Sequence, residues 1–439
     1  MMKKAHVMSN VVRLTSIATA LHFLVDGLCA CCLFLLADGA ELMPFLGVFM
    51  TYNVLAFLTQ PLTGMLADRV RLPHLLLMAS VSLLALGVAV CSLFTIHYSL
   101  LTSIFLGLGN SLFHVWGGKQ VAVATGNDIR AFGVFVSTGA FGLAVGMVLH
   151  AWWLLYVMLL AIVALVLWLI PLTFHSSPLT PHPSPLTPPV VWGALLLLMG
   201  FVMFRSFAGE TFTAGLTKGG SMTLLIGALA MMGKALGGWL VRRGIVFVVV
   251  LVGVIFYMLT PHLSSLTPHH IWWIGLLLIN GTMAITLYWA DSVMPGREGL
   301  AFGLLAAALM PGYLLAQVPH FSPLTSHLFP LTSQLLMTLL PTIVIELAVL
   351  WSLRERRGDV LWSSVVVNIL TNVPLNLFVI YVSNSVLTIF LGELLVVIVE
   401  ALWYWYFIEN WRRAVVYSFL CNGISFLLGL LVQLVLLLF

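Results

Sequence analysis

Charge is what this chain lacks. Asp, Glu, Lys and Arg together make up 7% of its 439 residues, against roughly 25% in soluble domains. So few charges exclude an ordinary solvated surface, and 62% hydrophobic residues leave a polytopic, all-α membrane protein as the class. Cysteine is scarce as well. Cys29, Cys31, Cys32, Cys91 and Cys421 lie in apolar runs without metal-site or disulfide spacing and read as structural thiols. A phosphate-binding glycine loop and a catalytic triad pattern are both missing, so no enzyme, no cofactor and no metal is expected. The net charge of +4 concerns topology and calls for no nucleic-acid partner.

What is present is a series of apolar runs near the ~20 residues that cross ~30 Å of hydrocarbon. Six fall at 14–37, 45–65, 72–94, 98–117, 131–150 and 152–174; after a Pro-rich break, six more fall at 190–209, 219–240, 245–260, 271–290, 299–317 and 334–353. Three follow a charged loop, at 360–382, 385–408 and 414–438. The first run follows Lys3 and Lys4 but has no small-residue cleavage site, so it is expected to be retained as a helix. The domains expected are a six-helix bundle over 1–174, a Pro-rich linker over 175–189, a second six-helix bundle over 190–353 and a three-helix membrane extension over 354–439.

Basic residues test this count. With the N-terminus inside, Lys3, Lys4, Arg13, Arg69, Arg71, Lys119, Arg130, Arg242, Arg243, Arg297, Arg354, Arg356, Arg357, Arg412 and Arg413 fall on the cytoplasmic side, and of the 18 Lys and Arg only Arg205, Lys218 and Lys234 do not. The positive-inside rule therefore supports twelve spans plus three, with the C-terminus extracellular or periplasmic; the inner membrane is the expected location.

The two halves echo each other. TQPLTGMLADRVR (59–71) returns 174 residues later as KALGGWLVRRG, with Gly238 in the place of Gly64 and Arg242, Arg243 in the places of Asp68, Arg69. Asn110 and Asn280 repeat at an offset of 170 residues, as do Ala131-Phe132-Gly133 and Ala301-Phe302-Gly303. Two matches at one offset imply a duplicated bundle, the layout of a secondary transporter. Gly139, Gly142 and Gly146 add small residues suited to close helix contact. Three Ser-Pro-Leu-Thr segments, 176–189, 260–270 and 321–333, lack helical periodicity and read as loop insertions. Their histidines, among them His262, His269 and His270, read as solvated low-complexity sequence.

Chemistry in such a chain belongs to polar side chains at mid-membrane depth. Asp26 lies twelve residues into the first run, about 18 Å along its helix, and His22 is one turn earlier on the same face. A carboxylate beside a histidine can load and release a proton, or the two can form a satisfied interhelical hydrogen bond. Glu346 is the next candidate for proton coupling. His114 and Arg205 are further intramembrane candidates; Arg205 can meet an anionic substrate, Asp26 or Glu210, or snorkel to the interface. Lys234 is expected to snorkel inward beside Arg242 and Arg243. Asn53, Asn110 and Asn280 can line a central cavity or serve helix packing. In the extension Asn368, Asn372 and Asn376 recur every four residues and Glu393 and Glu400 at seven, two polar faces able to meet. WYWYF (403–407) before Arg412 and Arg413 reads as an interfacial aromatic belt.

The first twelve helices resemble the major facilitator superfamily. GMLADRVR resembles its signature between helices 2 and 3, and the degenerate copy between helices 8 and 9 sits where the family carries a second one. Leu72 and Pro73 replace the later glycine-basic part, and Arg242 stands at the acidic position of the second copy. The resemblance implies a conformational gate of Gly64, Asp68, Arg69, Arg71, Gly238, Arg242 and Arg243, with Asp68 helping to lock one side of an alternating-access cycle and the second gate unequal to the first. HFLVD (22–26) and GNSLFHVWG (109–117) are similar to helices 1 and 4 of the fosmidomycin-resistance-type drug exporters.

The reading is a secondary active transporter exporting a small organic molecule or drug in exchange for protons. Its partners are that substrate, protons, the bilayer and a membrane partner for the extension. Two alternatives stay open: a transport-inactive scaffold or sensor keeping the fold, and uptake of an organic anion or sugar phosphate through Arg205.

Overall fold

The structure is a computed structural model that describes residues 2–38, 42–93, 99–173, 186–214, 219–240, 270–317, 328–381 and 385–438. Among the described residues every regular element is helical, and ten helices are long and apolar enough to cross a membrane. This is the all-α polytopic fold expected from composition. The expected helix at 245–260, Arg242, Arg243 and most of the Ser-Pro-Leu-Thr segments lie outside the described residues.

The chain separates into two compact units, Met1–Ser184 with Leu197–Ala316, and Pro185–Leu196 with Gln317–Phe439. The first holds α1 (Met2–Ala37), α2 (Leu42–Asn53), α3 (Gln60–Arg69), α4 (Pro73–Leu93), α5 (Ser99–Thr125), α6 (Ile129–Val148) and α7 (Trp152–Thr173). It continues with most of α8 (Pro188–Ala214), then α9 (Gly220–Leu240), α10 (His270–Val293), α11 (Glu298–Ala307) and α12 (Leu309–Gln317). The second unit takes the start of α8 and the four helices α13 (Leu328–Ser352), α14 (Gly358–Tyr381), α15 (Val386–Ile408) and α16 (Trp411–Leu438).

Two local readings change. The run at 45–65 is not one regular helix: α2 and α3 are joined by a π turn, Val54–Leu58. Pro61, in the first turn of α3, has no N–H to continue the ladder, and the register slips just before it. The end of the third Ser-Pro-Leu-Thr segment is helical, because Leu328, Phe329 and Pro330 form the first turn of α13. The N–H groups there have no intrahelical acceptor, so a proline costs nothing.

In lipid the helices are held by van der Waals contact and interhelical hydrogen bonds more than by hydrophobic transfer, so close approach matters. It occurs in matched places. A Cβ on Gly64 would overlap the Gly299 carbonyl, and one on Gly238 would lie 2.7 Å from the Ile129 carbonyl. A Cβ on Gly303 would overlap the Gln60 carbonyl, and one on Gly133 would lie 2.9 Å from that of Lys234. The α3–α11 contact is thus repeated as α9–α6 at the sequence offsets of the duplication. The first unit buries Leu21, Leu28, Leu106, Phe113, Trp116 and Phe132 around these contacts. The second buries Trp192, Trp403 and Tyr404, with the Trp192 and Phe407 rings 5.9 Å apart.

Candidate functional site

Two i, i+4 pairs face each other inside the first unit: His22 and Asp26 on α1, Asn110 and His114 on α5. The Asn110 amide donates to Asp26 Oδ1 at 3.1 Å. His22 Nε2 lies 3.3 Å from Asp26 Oδ2, and His114 Nε2 lies 3.5 Å from Asp26 Oδ1. The two Nε2 atoms are 3.0 Å apart. The other ring nitrogens are committed elsewhere. His22 Nδ1 is 2.8 Å from the Phe135 carbonyl and His114 Nδ1 is 3.0 Å from the Asn110 carbonyl.

Hydrogen-bond accounting constrains what this cluster can hold. Carbonyl oxygens only accept, so both Nδ1 atoms carry hydrogen. With both imidazoles neutral, two bare Nε2 lone pairs and a carboxylate would converge with no hydrogen between them. One added proton, shared by the two Nε2 atoms beside Asp26, turns three mutually repelling acceptors into a hydrogen-bonded, electrically neutral group. The side chains of Asp26 and His114 remain 14% and 22% exposed, while His22 is buried.

The same three residues place one ligand atom each within 4.8 Å of one another, a donor set suited to a divalent transition metal. Two nitrogens on one tetrahedral ion stand about 3.3 Å apart, given metal–nitrogen bonds of about 2.0–2.1 Å. The observed 3.0 Å is a hydrogen-bond distance and fits a shared proton better.

Room for the cluster comes from α6. A Cβ on Gly139 would overlap both Asp26 Oδ2 and His22 Nε2. Sequence reasoning placed Gly139 among packing glycines and did not give it this neighbour. It also missed Ser111 of α5, which accepts from the Thr59 hydroxyl at 2.8 Å and meets Thr63 at 2.9 Å, beside the π turn. The π turn is a feature common at functional sites, and no residue pattern announced it.

The second half contributes cations. Arg205 is buried and donates to Thr286 Oγ1 at 3.2 Å; among the described residues no carboxylate is bonded to it. It does not snorkel. Lys234 is half-buried and within electrostatic reach of Asp26, His114 and Arg205, so it too faces inward to the cluster. Asn53 and Asn280 donate to carbonyls of their own helices, Phe49 at 2.8 Å and Leu276 at 2.9 Å. No hydrogen bond among the described residues brings them to Asp26. Glu346 is also elsewhere, in the second unit, where Asn368 donates to it at 2.6 Å. Asn372 donates to Asn368, Asn376 to the Asn372 carbonyl, and Thr371 contacts Glu400, while Glu393 stays half-buried.

A separate site lies at the end of α3. Asp68 accepts from the backbone N–H groups of Gly299 and Leu300, both at 2.9 Å, and from Lys119 Nζ at 3.0 Å. These N–H groups open α11 and have no intrahelical acceptor, so the carboxylate of one helix caps another and meets its positive dipole end. Lys119 also donates to the Ala67 carbonyl at 2.9 Å. Gly64 permits the approach. Arg69 is half-buried, Arg71 is exposed and Gly238 is buried; Arg242 and Arg243 lie outside the described residues.

No family model matches the sequence, and no curated protein matches it. Solved structures do match. The Escherichia coli fucose:proton symporter FucP aligns with a TM-score of 0.52 at 13% identity, over 73% of this chain and 93% of that one. The human organic anion transporter MFSD10 (TETRAN) aligns at 0.51 and 17% identity, over 70% and 92%. Both are major facilitator superfamily transporters, and at these identities what is shared is the fold.

Proposed function

We propose that this chain, an integral membrane protein with the major facilitator fold, is a secondary active transporter that exports a small organic molecule in exchange for protons. The two six-helix bundles over 1–174 and 190–353 supply the alternating-access body, in an inner membrane with the N-terminus cytoplasmic. The observation that carries the reading is the convergence of His22 Nε2, His114 Nε2 and Asp26 within 3.0–3.5 Å of one another, a geometry that suits one shared proton. Loaded, the cluster is neutral and its hydrogen bonds close. Unloaded, its acceptors repel, and α1 and α5 favour a different packing. Protonation thereby biases which conformation the bundle adopts, which is what coupling requires. Asp68 holds one end state by capping α11, and releasing that cap opens the path on its side.

Arg205 and Lys234 favour a second reading of the substrate, an organic anion. Two cations and one carboxylate leave a positive excess that an acidic ligand would neutralise. The relation to fosmidomycin-resistance-type exporters belongs to the first reading and rests on HFLVD and GNSLFHVWG. The experiment is gradient-dependent efflux in a drug-sensitive host, run over cationic, neutral and anionic compounds. Export that collapses with the proton gradient supports transport; no gradient-dependent flux of any class identifies a scaffold or sensor.

A further inference from the structure

The second unit buries two carboxyl groups that the transport reading does not use. Glu346 on α13 and Glu400 on α15 are both 0% exposed. Among the described residues no Lys, Arg or His pairs with either. Their partners are amides and hydroxyls: Asn368 donates to Glu346 Oε2 and Asn422 to Glu400 Oε2, each at 2.6 Å. Glu346 and Glu400 are also close enough to repel each other as anions, and Glu393 adds to the same field. Tyr404 and Cys421, the other titratable groups facing the pair, bring no positive charge. Two neighbouring carboxylates buried in the protein without a cation are not sustainable, because each uncompensated buried charge costs several kcal/mol or more.

The hydrogen bonds leave a place for the missing positive charge. Thr371 Oγ1 lies 2.8 Å from the Val367 carbonyl and 3.1 Å from Glu400 Oε1. Threonine has one hydroxyl hydrogen and a carbonyl only accepts, and the Val367 contact is the shorter, so the hydrogen is better used there. The contact with Glu400 then needs a hydrogen of its own, which an ionised Glu400 does not have. Among the described residues Glu346 Oε1, buried, has no hydrogen-bond partner, so Glu346 too lacks the donors that would hold a full carboxylate charge.

We propose that Glu346 and Glu400 form a proton-binding site within the four-helix unit, separate from the cluster at Asp26, with a proton on Glu400 Oε1 donated to Thr371. Glu393, two turns earlier on the face of Glu400 and half-buried, gives that proton a route of exchange. The four-helix unit is then an ion-binding module rather than a passive anchor.

Infrared difference spectroscopy on the purified full-length protein at neutral pH tests this. The expected result is a protonated-carboxyl C=O band that shifts on transfer to D2O, is lost in Glu400→Gln and persists in high Na+ or K+. Loss of a carboxylate band in Glu400→Gln instead would overturn the proposal. So would disappearance of the band when Na+ or K+ is added, which would mark a metal-cation site. Should Glu400→Gln fail to fold, carbodiimide modification of the wild-type protein decides, since the reagent attacks protonated carboxyls. Mass spectrometry is expected to find the adduct on Glu400 or Glu346, and a folded protein unmodified at both would contradict the site.

Discussion

Phe132 and Phe302, equivalent residues of the two repeats, meet edge to face with ring centroids 5.5 Å apart and planes at 79°. Residues related by a pseudo-two-fold axis touch each other only near that axis, so this pair marks where the two halves join. The matched glycine contacts lie beside it: Gly64 against Gly299 on one side, Gly238 against Ile129 on the other. Chemically the two sides differ, because Asp68 is the acid in one copy and Arg242 stands in its place in the other.

The Asp68 cap should therefore be a strong and asymmetric lock. Asp68→Asn removes the charge that faces α11 and leaves Lys119 buried without its partner, at a cost of about 3–5 kcal/mol. The apparent melting temperature in detergent is expected to fall, and to recover in part in Asp68→Asn with Lys119→Met. Unchanged stability in the single variant would show that the ion pair carries little.

Gly139 offers a test of site geometry without touching a titratable group. Gly139→Ala places a methyl against Asp26 and His22, so the protein should reach the membrane while gradient-driven transport drops at least tenfold. Gly423→Ala, where a Cβ meets nothing within 4 Å, is the matched control and should transport normally. Equal activity of the two variants would remove the claim that α6 shapes the cluster.

Outside the membrane, Glu355 in the α13–α14 loop is lowered from 4.5 to about 2, first by the hydrogen bonds of the Arg357 side chain and then by backbone N–H groups. The Arg357 Nη2 to Glu355 Oε2 distance is 2.7 Å. A depressed carboxylate contributes stability above its unfolded value that is lost as pH falls through its folded one. Wild type should thus lose stability between pH 4.5 and about 2 more steeply than Glu355→Gln, as read from thermal unfolding across that window. Parallel pH profiles would contradict the ion pair.

The charge distribution also predicts topology. A reporter fused after Phe439 should be extracellular or periplasmic, and one inserted in the Arg354–Asp359 loop cytoplasmic. Both on one side would exclude an extension of three spans.

Spans and duplication were legible because they rest on one-dimensional signals: apolar runs of membrane length, basic residues between them, and tripeptides at a constant offset. The i, i+4 spacing likewise put His22 with Asp26. What was not legible depends on which helix faces meet. Nothing in the spacing of His114 says that its Nε2 lies 3.0 Å from that of His22, and nothing around Gly139 names the side chains it makes room for. For Asn53 and Asn280 the sequence leaves cavity lining and helix packing open; each donates to a carbonyl one turn earlier on its own helix, a bond that no residue pattern announces. Glu346 is legible as a candidate acid by its place in an apolar run, but its partner is not: it is Asn368, on the next helix of the second unit.

The central claim is that one proton, held by His22, His114 and Asp26, ties transport to the gradient. Its most direct test is Asp26→Asn in proteoliposomes, using a substrate found in the efflux screen and an imposed pH gradient. The substitution keeps the shape and hydrogen-bonding reach of the side chain but removes its charge. Substrate exchange is expected to persist while accumulation against its gradient is lost. His22→Gln should shift the pH optimum without abolishing flux. Accumulation by Asp26→Asn at the wild-type rate would contradict the account and leave this cluster as interhelical packing.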